Sequence, residues 1–268
     1  MLAELRQFAA GDDSKVAGSH LIKGWLLSRV PPGGAVRFHY WGRLVARRLE
    51  PEVQLIAKLV TPELVAVDVG ANYGVYTVAM MKAGARVVAF EPLRECAEAL
   101  RHYSSRHNGR LTIHQAALSD HAGEATLHLP RDKSRALTGL ATLSPLSMRH
   151  ENRQVKLRTL DSYELANVRL IKIDVEGHER SVIRGAERTI MTNNLPSLVV
   201  EIEQARLDLP IADVFAFIGS FGYEGWFLRE RRLVSIQEFR LERDQPPDIV
   251  RVHNFLFVNP SERWRLRL

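Results

Sequence analysis

The sequence predicts an α/β fold: a seven-stranded, mostly parallel sheet with one antiparallel edge strand and a helical N-terminal extension. Three observations carry this expectation. Short apolar runs recur between residues 64 and 258, most of them separated by helix-length segments. Five of these segments end in or run into an acid: Asp68, Glu91, Asp120, Asp174 and Glu201. The first run opens into a glycine turn, Asp68-Val69-Gly70-Ala71-Asn72-Tyr73-Gly74. Ligands of open parallel sheets bind beyond the carboxyl ends of the strands, so the acids mark one functional edge.

The elements follow in order. Residues 1–62 read as irregular helices, broken at Pro31-Pro32-Gly33-Gly34. Trp41, Leu44, Val45, Leu49, Leu55 and Ile56 recur there at roughly helical spacing. The main domain is expected over 63–268. Its first strand is 64–67, followed by a helix at 73–82. A second strand at 86–90 precedes a helix at 94–107, and a third strand covers 111–115. Residues 121–158 interrupt the alternation as a basic insert, with short strands at 125–129 and 155–157 around a polar loop at 131–154. Loops of that length inside a compact domain are commonly functional. The alternation resumes with a strand at 168–173, a helix at 179–191, a strand at 197–202 and a helix at 211–221. Strands at 223–228 and 253–258 then follow one another across a loop, which predicts the antiparallel edge.

Composition sets bounds. The chain has 268 residues, 46% hydrophobic and 25% charged, which excludes disordered, collagen-like and disulfide-stapled classes. The single cysteine, Cys96, excludes an internal disulfide and a multi-cysteine zinc site. No run reaches the roughly 18–20 apolar residues of a membrane span. Residues 1–15 lack a basic start followed by an apolar run, so the expected location is cytoplasmic. The net charge of +6 is uneven: segments 63–130 and 159–228 carry −1 and −5, whereas the insert at 131–158 carries +5. An acidic core with basic flanks suits a cationic ligand inside and an anionic surface or acceptor outside.

The glycine turn follows a strand and opens a helix, so its backbone can approach a ligand closely. Its G-x-x-x-G spacing differs from the G-x-G-x-x-G of dinucleotide sites. Glu91, ending the second strand, can accept both hydroxyls of a ribose; the alternative is a capping carboxylate for the helix at Arg94.

With these residues in place, the chain resembles the class I S-adenosylmethionine-dependent methyltransferases, and within them the FkbM family. The resemblance runs through Val67-Asp68-Val69-Gly70-Ala71-Asn72-Tyr73-Gly74, Ala89-Phe90-Glu91-Pro92, Ala117-Leu118-Ser119-Asp120 and Thr159-Leu160-Asp161. It continues through Ile171-Lys172-Ile173-Asp174-Val175-Glu176-Gly177-His178-Glu179, Val200-Glu201 and Asn254-Phe255-Leu256-Phe257. It implies a Rossmann-like class I methyltransferase fold and S-adenosyl-L-methionine as cofactor. Asp68, Gly70, Asn72 and Gly74, with Tyr73 and Thr77 beside them, would meet its methionine end. Glu91 would meet the ribose, Ser119 and Asp120 the adenine, Pro92 would be a further cofactor contact, and Asp174 would stand beside the methyl group.

Methyl transfer to a hydroxyl needs positioning and a base. Asp174, Glu176, His178 and Glu201 are the catalytic candidates, with Asp174 and Glu176 preferred and His178 alternatively a solvent-facing residue. Lys172 is expected to support structure. Asp174, Glu176 and Glu201 offer the oxygen ligands Mg²⁺ prefers, but no diagnostic ligand pair is present and a metal is not favoured. The expected activity is O-methylation of a sugar, glycan or secondary metabolite. The alternatives are an RNA or DNA methyltransferase, suggested by the basic charge, and a non-catalytic cofactor-binding protein of the same fold. Trp25, Trp41 and Trp264 are candidate homo-oligomer contacts or core residues.

Overall fold

The computed structural model describes residues 32–45, 50–132, 135–145, 149–247 and 251–266. The expected helices before residue 32, and Trp25 with them, lie outside the described residues. Helix α1 (Pro32–Val45) and the single turn α2 (Ile56–Leu59) precede β1 (Val65–Val69). Then come α3 (Val75–Lys82), β2 (Arg86–Phe90), α4 (Arg94–Ser104) and β3 (Leu111–His114). The insert forms β4 (Ala117–Leu118), β5 (Gly123–Asp132), β6 (Arg135–Ala136) and β7 (His150–Arg158). The second half runs β8 (Val168–Ile173), α5 (Glu179–Arg184), α6 (Glu187–Thr192), β9 (Ser197–Glu201), α7 (Ile211–Gly219), β10 (Glu224–Arg229), β11 (Arg232–Ser235), α8 (Leu241–Asp244) and β12 (Asn254–Val258).

The main sheet has the order β11-β10-β12-β9-β8-β1-β2-β3. It is the mostly parallel sheet that the sequence predicts. It has eight strands where seven were expected. β12 pairs antiparallel with both β9 and β10, and β11 returns antiparallel on β10. The extra strand comes from the segment after Arg229, expected to be a loop. Its four residues are half-exposed, so it carries little apolar signal.

The insert is also more ordered than expected. β5 and β7 pair antiparallel over eight residues, in a second, four-stranded sheet of order β4-β7-β5-β6. Leu127, Leu129, Val155 and Leu157 turn inward on Leu93 and Cys96, while polar residues fill the alternate positions. The expected helix at 179–191 is two short helices, meeting where Gly185 approaches Ser119; a Cβ on Gly185 would come 1.9 Å from the Ser119 carbonyl oxygen.

Strand alternation splits the core into two layers. Ala66, Leu170, Val199 and Leu256 face one side, packing with Leu59 of α2, Met80 of α3, Leu100 of α4 and Val36 of α1. Val67, Ile171, Val200, Phe255 and Phe257 face the other, packing with Val182, Ile190, Val214 and Ile218. Trp41 and Trp264 are exposed, at 45% and 60%. No helix among the described residues is long and apolar enough to cross a membrane.

The second layer is richest in aromatics. The fully buried Phe255 ring lies 4.8 Å from Phe215, 5.5 Å from Phe239 and 6.0 Å from Phe227, centroid to centroid. Phe255→Ala leaves a cavity among them and is expected to cost about 3–5 kcal/mol, read from urea unfolding.

Candidate functional site

A cavity of about 440 Å³ opens beyond the carboxyl ends of β1, β2, β8 and β9. That volume lies in the range of small-molecule sites. The turn after β1 forms one wall. Gly70 (φ +79°), Asn72 (φ +46°) and Gly74 (φ +78°) are all left-handed. Gly70 has no substitute there: a Cβ would stand 1.8 Å from the carbonyl oxygen of Asp174. The turn is strapped to β2, because Gly70 and Ala71 N–H donate to Phe90 O at 3.0 and 3.1 Å. Asn72 N–H donates to Glu91 Oε2 at 2.6 Å.

Glu91 is buried, and its Oε1 accepts from Leu93 N–H at 2.7 Å, at the start of α4. That bond goes to the residue before the helix rather than into its first turn, where no side chain caps the helix, and a carboxylate with about four lone-pair sites retains acceptor capacity. Burial pushes Glu91 up to about 7, against the two backbone N–H groups. Asp68 is buried behind the turn and accepts from Thr77 Oγ1 at 2.5 Å; burial, partly offset by Thr77, lifts it to about 6.

The opposite wall comes from the segment after β8. Asp174 N–H donates to Val69 O at 3.0 Å, extending the strand pairing. Glu176 (φ +57°) and Gly177 (φ +103°) then turn sharply, and a Cβ on Gly177 would come 2.5 Å from Arg206 O. This turn aims Glu176 Oε2 at Arg206 Nε, 2.6 Å away; Arg206 also pairs with Glu203 at 3.0 Å. Burial, then the Asp174 charge, raises Glu176 to about 8 and Glu201 to about 9. Asp174 shares the cavity, 32% exposed at its side chain, and is also raised by burial. His178 lines the cavity too, its ring 2.9 Å from Ser119 Oγ, and burial pulls its pKa down.

Asp68, Gly70, Asn72, Tyr73, Glu91, Pro92, Asp174, Glu176, His178 and Glu201 thus line one cavity. Gly74, Thr77, Ser119 and Asp120 stand outside its lining. Thr77 bonds to Asp68 and Ser119 to His178, while Asp120 holds His121 at 2.7 Å on the exposed side.

Several lining residues escaped the sequence reading. Lys172, expected to be structural, is fully buried yet faces the cavity, 3.7 Å from Glu201 and 4.0 Å from Asp174. At an effective dielectric of about 20, charges about 4 Å apart interact by about 4 kcal/mol. Burial works against the Lys172 charge, but Asp174, Glu201, Glu50 and Asp68 outweigh it and raise its pKa. His39 of α1 stacks on Tyr73, with ring centroids 4.3 Å apart. From the insert, Thr138 Oγ1 donates to Asn72 Oδ1 at 3.2 Å and Thr142 Oγ1 to Glu176 O at 2.7 Å. Helical spacing around Trp41 was the signal for α1; none marked the two threonines.

A family model described as the methyltransferase FkbM domain matches residues 68–224, from the end of β1 to the start of β10. The chain belongs to the FkbM methyltransferase family. An FkbM methyltransferase structure from Methylobacillus flagellatus KT is 18% identical, with a TM-score of 0.47, and the match covers 82% of this chain and 60% of that one. The chain therefore spans about three-fifths of that FkbM protein's length. The structure of M. capricolum TrmK in complex with S-adenosyl-homocysteine is 10% identical, with a TM-score of 0.41, covering 78% of this chain and 67% of that one. Magnesium protoporphyrin IX methyltransferase (ChlM) from Synechocystis PCC 6803 with bound SAM is 13% identical, with a TM-score of 0.38, covering 77% and 74%. No curated protein matches the chain. The FkbM match spans the glycine turn, the insert and the Asp174–Glu179 segment, but not α1, Glu50 or β12.

Two outcomes follow for this FkbM domain. Gly70→Ala meets both a positive φ and a backbone clash, and is expected to lose about 2 kcal/mol or more of stability by urea unfolding. The second concerns pH. Acids whose folded pKa is raised stabilise the fold fully below the ordinary carboxyl range, and this contribution fades as pH climbs through the raised values. His178 and His114, pulled below 6.5 by burial, act oppositely, but only up to that value. The urea midpoint is therefore expected to fall between pH 7 and 9, where Glu176 and Glu201 ionise, and Glu201→Gln is expected to flatten the fall.

Proposed function

We propose that the chain is an S-adenosylmethionine-dependent O-methyltransferase acting on a hydroxyl of a sugar, glycan or secondary metabolite. The supporting observation is the two-ended cavity, with Asp68, the Gly70 turn and Glu91 at one end and Asp174, Glu176 and Glu201 at the other. The donor set fits the cofactor: a ring of carboxylates favours a cationic sulfur, and the free lone pairs of Glu91 suit ribose hydroxyls. When bound, S-adenosylmethionine supplies a methyl group on a positively charged sulfur. The Asn72 and Tyr73 wall would hold its amino-acid end, and Pro92 and Leu118 would flank its base. Asp174 would orient the acceptor hydroxyl and take its proton as the methyl group passes from sulfur to that oxygen, the methyl–sulfur bond breaking to leave a neutral thioether. Glu176, fixed by Arg206, would hold a second acceptor group.

The nucleic-acid reading rests on the basic insert. It is weakened there because Arg131 and Arg153 both close on Glu151, at 2.8 and 2.7 Å. A non-catalytic binding role would leave cofactor affinity intact without turnover.

Isothermal titration with S-adenosylhomocysteine tests the cofactor end. Binding is expected, and Glu91→Ala is expected to weaken it about tenfold or more, a loss of about 1.4 kcal/mol. Absence of binding by the unaltered protein would remove the proposal. Across a panel of hydroxylated acceptors, Asp174→Asn is expected to keep that affinity within a few-fold and lower turnover about 100-fold or more.

A further inference from the structure

One lining residue has no part in that chemistry. Lys172 reaches the cavity from β8, in register with Asp68 of β1. Its Nζ donates to Asn254 Oδ1 at 3.0 Å, lies 3.7 Å from Glu201 Oε2 and 4.0 Å from Asp174 Oδ2, and stands 4.8 Å from the centre of the Tyr76 ring. Asn254 is itself fixed, because its Nδ2 donates to Glu50 Oε2 at 3.2 Å, and Tyr76 OH donates to the same oxygen at 2.6 Å. The ammonium is thus bonded to Asn254 of β12 and covered by the Tyr76 ring of α3, with the carboxyl groups of Asp174 and Glu201 close by.

Among the described residues, two trios bring ligand atoms within 4.8 Å of one another, as a divalent ion would require: Asp174, Glu176 and Glu201, and Glu50, Glu201 and His253. Both include Glu201, the acid nearest Lys172. In the first trio Asp174 also faces Lys172, and Glu176 is engaged by Arg206. In the second, Glu50 already accepts from Tyr76 and Asn254.

We propose that Lys172 is a positioning residue that takes the place of a divalent cation at the acidic end of this cavity, holding Asp174 and Glu201 in place without a metal. Mg²⁺ demands near-octahedral oxygen ligands at about 2.0–2.1 Å, whereas these oxygens are arranged around an ammonium at longer range. A second, doubly charged ion would meet the Lys172 charge at close quarters, and Lys172 cannot withdraw because Asn254 and the Tyr76 ring occupy its far side. An ammonium offers directed N–H donors and no vacant coordination position, so Asp174 keeps a lone pair for an incoming hydroxyl. The lone pair kept by Asp174 rests on the proposed hydroxyl acceptor, whereas the exclusion of a divalent ion does not.

The test is titration of the full chain with MnCl₂ at pH 7.5, followed by calorimetry and by the electron paramagnetic resonance of free Mn²⁺, with no cofactor present. The unaltered protein is expected to show no stoichiometric site tighter than about 1 mM, a weak limit for oxygen-ligand sites. Lys172→Gln is expected to gain affinity about tenfold or more by releasing Asp174 and Glu201 to the ion, and adding Glu201→Gln is expected to remove that gain. Lys172→Arg, which keeps the charge, is expected to match the unaltered protein, as a general loosening of the site would not. A stoichiometric Mn²⁺ site in the unaltered protein that Glu201→Gln abolishes would overturn the proposal. So would a folded Lys172→Gln that binds no more tightly than the unaltered protein. If Lys172→Gln does not fold, the comparison of the unaltered protein with Glu201→Gln decides alone.

Discussion

The acidic edge of the sheet rests on one buried ammonium. Asp68, Asp174, Glu201 and Glu50 all act on Lys172, and each is drawn close by a different element: β1, β8, β9 and the segment before α2. Carboxylates gathered this closely repel one another, and burial lifts most of them well above their ordinary range. A central cation makes the gathering tolerable, because breaking a buried pair by removing one partner typically costs about 3–5 kcal/mol. The packing around Lys172 is correspondingly specific. Tyr76 covers it with a ring, and Asn254 gives it a hydrogen bond that no apolar neighbour could supply.

Around that charge the fold does two separate jobs. The parallel strands end together and deliver acids to one edge, and the left-handed residues then steer the chain across that edge. Gly70 lets the turn pass against Asp174, and Glu176 with Gly177 swings the next segment onto Arg206. The insert adds a wall rather than a loose loop. Its hairpin is anchored by leucines against Leu93 and Cys96 and reaches the cavity at Thr138, whose hydroxyl bonds to Asn72, while Thr142 ties it to the Glu176 carbonyl.

Much of this was legible in the sequence. Apolar strands ending in acids have a clear period, and the glycine turn has a clear chemistry, so the order of strands and helices along the chain and the acidic part of the cavity lining could be read directly. The hairpin was harder, because Arg153 and other exposed polar residues mask the alternation of Leu127, Leu129, Val155 and Leu157. β11 was harder still: four half-exposed residues bury too little to leave a pattern. Lys172 shows the limit most clearly. Strand alternation says which face it takes, but not that Tyr76 and Asn254 wait there, and Asn254 lies 82 positions away. The same holds for His39 and Glu50, which reach the cavity from a part of the chain with no recognisable motif.

The bond between Asn254 and Glu50 spans 204 positions, so it joins nearly the two ends of the described chain. Contacts of such long sequence separation carry a large loop-closure cost, and a high share of them slows folding. The lysine network closes only when the last strand of the sheet meets the segment before the first. A half-made chain emerging during synthesis has the glycine turn and Glu91 but lacks Asn254, and so leaves Lys172 without its hydrogen bond. The complete cavity therefore exists only where the whole sheet, its last strand included, has closed.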